Sequence, residues 1–129
     1  MYLLDTDIII DFFNDDSSLA KEIEKKAEHP MFISSLTLCE LYRGAFLSIN
    51  PEEEQENILN LLASTEFISL NKEACVIFGK NNAYLSKIGK MTKEVDLMIS
   101  SIAISKGLTL VTRNKKHFEN IPNLKIEEW

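Results

Sequence analysis

Met1-Tyr2-Leu3-Leu4-Asp5-Thr6-Asp7-Ile8-Ile9-Ile10 opens the chain, and its reading decides the fold. Tyr2 to Leu4 is apolar without alternation, the pattern of a strand covered on both faces of a parallel sheet. The run stops at Asp5. A short helical pattern, Ile8 to Phe13, follows, with Asp7 available as its N-cap. Near the other end the device returns: Leu108 to Val111 is a uniformly apolar run that stops at Thr112-Arg113-Asn114. Between the two, Met31 to Ile33 and Glu66 to Leu70 read as further strands, and Lys125 to Ile126 as a short last one.

Helical patterns fill the intervals. Ser18 to Glu28 is charged and amphipathic. Ser35 to Leu47 carries Leu38, Leu41 and Ala45 on one face. Asn50-Pro51-Glu52-Glu53 is a helix start, with a capping side chain, proline in the first helical position and Glu53 placed for a capping box; this helix runs to about Ser64. Asn71 can cap a helix that reaches about Ile88. Gly89-Lys90-Met91-Thr92 interrupts, and a helix from about Glu94 to Lys106 ends at Gly107, where a left-handed cap is favoured. Lys115 to Phe118 suits a single helical turn. Strands alternating with helices imply crossover units, so the expected class is α/β with a mainly parallel central sheet flanked by helices. Such sheets bind ligands at the carboxyl ends of their strands. Asp5 and Asn114 follow two of those ends.

The chain's 129 residues, of which 45% are hydrophobic, suit one domain over 1–129 with one real core. Cys39 and Cys75 have no C-x-x-C spacing and no histidine cluster beside them, so they are expected to be buried free thiols, as in a reducing compartment. The first ten residues already contain Asp5 and Asp7 and lack a basic segment, so no signal peptide is expected. No apolar run approaches the roughly 20 residues that cross a bilayer. A cytoplasmic protein is the expectation.

The net charge is −6, from 20 acidic and 14 basic residues. That argues against a passive nucleic-acid binder, which shows a basic footprint. It is compatible with an enzyme whose clustered carboxylates hold a divalent ion. Lys87, Lys90, Lys93, Lys106, Arg113, Lys115 and Lys116 gather late in the chain, and on a shared rim they would attract phosphate; as scattered charges they would only solvate the surface.

Three acids stand in unusually apolar surroundings. Asp5 ends the first strand, where a capping role suits Asp7 better. Glu40 lies within Leu36-Thr37-Leu38-Cys39-Glu40-Leu41-Tyr42. Asp96 lies in Val95-Asp96-Leu97-Met98-Ile99, near the start of a helix apolar almost all round. Each alone has a bland reading, as a turn residue, an exposed helix position or a charge that improves a helix N-terminus. Brought together without a cation they would repel, and at least one pKa would rise. Magnesium removes that cost, since it takes oxygen ligands and keeps several waters. Such an ion can acidify an attacking water and stabilise charge growing on phosphorus. Around these acids, Thr6, Arg43, Thr112 and Arg113 are placed for phosphate or supporting contacts, although a surface ion pair suits Arg43 slightly better. Asn114 suits either a turn or a contact to phosphate or water. His117 follows Asn114 closely enough to stand near the same site, but a surface histidine is the safer reading. Glycine-rich phosphate loops and the G-x-S-x-G elbow are absent.

Four blocks, in order, resemble PIN-domain ribonucleases, and more narrowly the VapC-type toxins of toxin–antitoxin pairs: Leu3 to Asp7, Ser35 to Gly44, Val95 to Ser101, and Leu110 to Phe118. The ending from Ile121 to Trp129 is similar as well. The resemblance implies a Rossmann-like sheet with an acidic site at its C-terminal edge, Mg²⁺ or Mn²⁺ as cofactor, and RNA cut by hydrolysis. It places Asp5, Glu40 and Asp96 at the three principal acidic positions and as metal ligands. Asn114 matches the fourth catalytic position, and His117 falls where another acid is common. It also implies a homodimer and a VapB-type antitoxin, for which the helices from Ser35 to Ser64 could supply surface or serve only as core. Two other readings compete. A phospho-accepting receiver-like domain needs an acceptor Asp after a middle strand, but the third strand ends at Ser69-Leu70-Asn71. A non-catalytic PIN-like protein that recognises RNA or a protein partner is kept open by Asn114.

Overall fold

The computed structural model describes residues 1–129. β1 (Tyr2–Leu4) leads into α1 (Thr6–Phe13) and α2 (Ser17–Lys25), and β2 (Met31–Ser34) into α3 (Ser35–Leu47) and α4 (Pro51–Ala63). β3 (Glu66–Ile68) is followed by α5 (Lys72–Lys87) and α6 (Glu94–Lys106). β4 (Thr109–Val111) and a single 3₁₀ turn (Lys115–His117) precede β5 (Lys125–Glu127).

The sheet order is β3-β2-β1-β4-β5, and every pairing is parallel. The chain builds outward from β1 to β3, then crosses back to lay β4 on the other side of β1. That reversal makes a switch point between the carboxyl ends of β1 and β4, where Leu4 pairs with Val111. A receiver-like domain has the order 2-1-3-4-5, so this topology removes that reading. The ladder extends past both strands: the Asp5 N–H donates to the Val111 carbonyl at 2.9 Å, and the Thr112 N–H to the Glu127 carbonyl at 3.1 Å.

Strand alternation divides the core into two. Tyr2, Leu4 and Val111 face a cluster with Ile8, Ile9, Leu41 and Ile58 from α1, α3 and α4. Leu3 and Leu110 face Ala74, Leu85, Leu97 and Ile102 from α5 and α6. Burial on both faces explains why β1 and β4 are apolar without alternation. The capping chemistry is local: Ser34, Asn50 and Asn71 accept from the third backbone N–H beyond them, and Gly107 closes α6 at φ 64.

Several expectations need correction. The cap of α1 is Asp5, not Asp7. The extended backbone of β1 continues through Asp5 (φ −71, ψ 156) and turns helical at Thr6, which puts Asp7 inside the first turn. α2 starts at Ser17, capped by Asp16, and stops at Lys25 rather than Glu28. β3 ends at Ile68, two residues early, as a mostly exposed edge strand. Cys39 and Cys75 are free but exposed, not buried. α3 buries Thr37, Leu41 and Ala45, so position 39 turns to the outer side; Cys75 is turned away likewise from buried Ala74. No helix is long and apolar enough to cross a membrane.

Candidate active site

At the C-terminal edge of the sheet, Asp5, Glu40, Asp96 and Asn114 line one pocket of about 450 Å³, together with Thr6, Asp7, Arg43, Lys93, Glu94 and His117. The four expected residues come from β1, α3, α6 and the turn after β4, so only the folded chain brings them together. A larger cavity of about 570 Å³ lies between α1, α2 and the β2–β3 edge. Its lining is mostly aliphatic, with none of these acids, so size does not locate the chemistry.

Asp5 is 5% exposed and fully engaged. Its Oδ1 accepts the Thr6 N–H at 2.8 Å, and its Oδ2 accepts the Thr112 hydroxyl at 2.8 Å. Thr112 in turn accepts the Asn114 N–H at 3.0 Å, which orders the loop after β4. The Thr6 hydroxyl donates to Glu40 Oε1 at 2.8 Å and lies 3.2 Å from the Thr37 hydroxyl. Thr6 therefore joins two of the acids through its backbone and its side chain. Glu40 Oε2 lies 4.0 Å from Arg43, a side chain 73% exposed. Such a pair contributes little stability, and the guanidinium remains open to solvent over the pocket.

Asp96 is the third residue of α6, with its side chain 16% exposed. The buried Ser100 and Ser101 hydroxyls donate to the Asp96 and Leu97 carbonyls at 2.7 Å each, which lets α6 sink into the core without orphaned polar groups. His117 Nδ1 stands 3.1 Å from Asp96 Oδ2 and 3.1 Å from Asn114 Nδ2. One nitrogen serves only one of these: as N–H it donates to Asp96, and as a bare lone pair it accepts from Asn114.

Burial dominates the electrostatics. It lifts the Asp5 carboxyl from the ordinary 3.8 to about 6, against the lowering effect of the Thr112 and Thr6 hydrogen bonds; Asp7 and Asp96 add repulsion. Burial raises Asp96 too, opposed by His117 and Lys93, with Asp7 again repelling. These carboxylates are short of positive charge.

The donor set fits a divalent ion of the magnesium type. No three acidic, histidine or cysteine side chains approach closely enough to ligate one ion together. Magnesium does not need that, because it binds through one or two carboxylates and keeps waters in its other positions. Two acids raised by burial are the groups such a charge relieves.

The structure separates the other expected contacts. Thr6 and Thr112 support acids from behind, and Arg43 lines the pocket. Arg113 turns away. Its Nη1 binds Asp11 at 3.0 Å and Asp16 at 2.6 Å, and its Nε donates to the Trp129 carbonyl at 2.7 Å. It is a tie between elements, not a phosphate contact. Adjacent residues of an extended loop point opposite ways, so Thr112 and Asn114 turn toward Asp5 and the pocket while Arg113 turns toward α1 and α2. His117 is not a surface histidine; the turn that begins after Asn114 swings it against Asp96. Asp7, Lys93 and Glu94 also reach the pocket. For Asp7 and Glu94 the available signal is proximity to Asp5 and Asp96; for Lys93 it is membership of the late basic group.

The PIN domain family matches residues 2–124. Ribonuclease VapC2 of Rickettsia felis is 34% identical over 131 aligned positions, covering 100% of this chain and 98% of that protein. The tRNA(fMet)-specific endonuclease VapC of Salmonella typhimurium is 32% identical, covering 94% of this chain and 99% of its own. Among solved structures, VapBC2 from Rickettsia felis bound to a promoter DNA fragment superposes with a TM-score of 0.94 at 33% identity, over 99% of this chain and 98% of that one.

Proposed function

This chain belongs to the PIN-domain family, and from that premise we propose that it is a VapC-type toxin: a divalent-metal-dependent endoribonuclease acting as one unit over residues 1–129. The carrying observation is the convergence of Asp5, Glu40 and Asp96 in one pocket at the β1–β4 switch point. In this reading Asp5, Glu40 and Asp96 would hold Mg²⁺ between them, one or two of them directly and the rest through its waters, with Mn²⁺ able to substitute. Such an ion, when bound, would supply positive charge beside a phosphodiester and make a neighbouring water more acidic. Thr6 and Thr112 hold Asp5 and Glu40 in fixed rotamers, as partners behind metal-ligating carboxylates do. His117 holds Asp96. Asn114 presents an amide to the scissile phosphate or to water, and Arg43 offers its exposed guanidinium to the strand. With Asn114 and His117 in place of carboxylates, that side of the pocket carries less negative charge, which favours fewer ions over a rigid two-ion site.

The proposed partners are RNA and a VapB-type antitoxin, the latter supported by the toxin–antitoxin complex among the structural relatives. A homodimer is part of the same reading. It is supported by apolar side chains that α3, α4 and their connection leave in solvent, Phe46 at 65%, Leu47 at 81% and Leu59 at 60% exposed, while Leu41, Ala45, Ile58 and Leu61 of the same helices serve the core. The same reading has the protein act in the cytoplasm, where its RNA substrate is made; no helix is long and apolar enough to cross a membrane.

A second reading is a non-catalytic binding protein, favoured by Asn114 and His117 where acids are common. One experiment decides. The purified, antitoxin-free chain is incubated with cellular RNA, beginning with transfer RNA, the class named for the Salmonella relative. Mg²⁺, Mn²⁺, EDTA and Asp5→Asn arms run in parallel. Discrete products that need both metal and Asp5 are expected. Metal and RNA binding with no product in either metal would leave the binding protein.

A further inference from the structure

We propose that a lysine groove beside the acidic pocket carries the sugar-phosphate backbone of a single RNA strand flanking the cut. This inference rests on the nuclease reading. The groove, about 450 Å³, is lined by Lys90, Lys93 and Lys116 with Thr92 and Asn120, over a floor of Leu85 and Ile121. His117 and Lys93 line both the groove and the acidic pocket, so the two are continuous.

Its charge is the telling feature. In a chain with 20 acidic and 14 basic residues, this groove has three lysines and no carboxylate among its lining residues. All three are exposed, and none takes part in an ion pair. Elsewhere the net charge of −6 repels a polyanion. The acidic pocket repels phosphate as well unless a cation is present. The groove therefore supplies attraction that the pocket lacks, directly beside it.

The groove walls are built, not incidental. Gly89 adopts φ 67, and the Lys90 N–H donates back to the Leu85 carbonyl at 2.9 Å, which closes α5 where Lys90 to Lys93 begin to line the groove. The Thr92 hydroxyl donates to the His117 carbonyl at 2.7 Å and ties this loop to the turn that carries Lys116. Two chain segments bearing the cations are thus held at one spacing. Lysines contact phosphates as point charges without reading bases, so the groove contributes affinity and orientation rather than sequence choice.

The test compares Lys90→Glu/Lys116→Glu with a control of equal charge change, Lys21→Glu/Lys125→Glu, on α2 and at the start of β5. Binding of a short mixed-sequence single-stranded RNA is measured across a salt series in an Asp5→Asn background, where nothing is cut. The groove variant should bind about tenfold more weakly at low salt. Its slope of log affinity against log salt should fall by about 1.4, at about 0.7 for each lost phosphate contact. The control should change neither. With Asp5 restored, the groove variant should raise KM on the transfer RNA pool more than it lowers kcat. Lys90→Gln/Lys116→Gln, a milder change, should show the same direction at smaller size. Equal RNA binding by groove and control variants, or an unchanged salt slope, would overturn the proposal while leaving RNA cleavage by the native chain intact. Selective loss of binding with no cleavage by the native chain would instead remove the nuclease reading and leave the groove standing.

Discussion

Two acid clusters meet at the loop after β4, and the chain treats them in opposite ways. Asp11 and Asp16 receive Arg113 at 3.0 and 2.6 Å. Its hydrogen bond to Asp16, helped by Ser18 and the Leu19 N–H, holds that carboxyl well below the usual range. Asp5 and Asp96, on the other side of the same loop, are raised. Threonines, a backbone N–H and a half-buried histidine surround them, and Lys93 at the pocket edge offsets only part of the burial of Asp96. An aspartate answered by its own chain is a tie between elements. An aspartate buried without an answer keeps binding capacity for something outside the chain. The contrast locates the site better than cavity size or acid content does.

The sharpest way to break the contrast is to neutralise one acid from each side. Asp96→Asn should lower RNA cleavage about a thousandfold, since charge stabilisation at such sites is worth several kcal/mol. Glu40→Gln should behave alike. Asp11→Asn should leave cleavage unchanged. A comparable loss in Asp11→Asn, or full activity in Asp96→Asn, would mean that the clusters are assigned to the wrong roles.

A smaller effect is expected on stability, with pH as the handle. In the folded chain Asp5 titrates near 6 rather than 3.8, so the folded state favours the protonated acid. The stability this contributes is complete below about pH 4 and is lost as pH rises through 6. In EDTA at pH 7.5, Asp5→Asn should therefore be more stable than the native chain by about 2 kcal/mol, with the gap closing toward pH 4. Urea denaturation at both pH values measures it. A variant less stable at pH 7.5 would show that Thr6 and Thr112 already compensate this carboxylate.

The smallest effect belongs to the satisfied side. Arg113 and its two acids are only partly covered, at 29%, 39% and 29% side-chain exposure, so water replaces much of what is lost. Arg113→Met should cost about 1 kcal/mol in urea denaturation. The structure should loosen first at Trp129, whose carbonyl the guanidinium holds. A loss several times larger would make this tie a true part of the core.

Much of this was legible in the chain itself. The uniformly apolar runs before Asp5 and before Thr112 announced two-face burial. Asn50-Pro51, Asn71 and Gly107 marked helix ends, because capping and backbone dihedral preferences are local chemistry. Asp5, Glu40 and Asp96 stood out because carboxylates in apolar stretches need a reason. The errors share one cause. Cys39, Cys75 and Arg113 were assigned from their sequence neighbours, but their surroundings depend on which side of a helix or loop the fold turns inward. For His117, nearness to Asn114 is a sequence signal for the site, but one turn of helix does not say that Asp96 lies across from it.

The sequence by itself determined the alternation of strands and helices, the caps at Asn50, Asn71 and Gly107, and the acids able to hold a divalent ion, since each depends on residues within a turn or two. The tertiary structure alone decided that β4 returns beside β1 and that Asp96 comes within reach of His117. It also decided that Thr112 and Arg113, adjacent in the chain, serve opposite acid clusters. Those facts follow from long-range packing and from burial in a low-dielectric interior, which no local stretch of sequence contains.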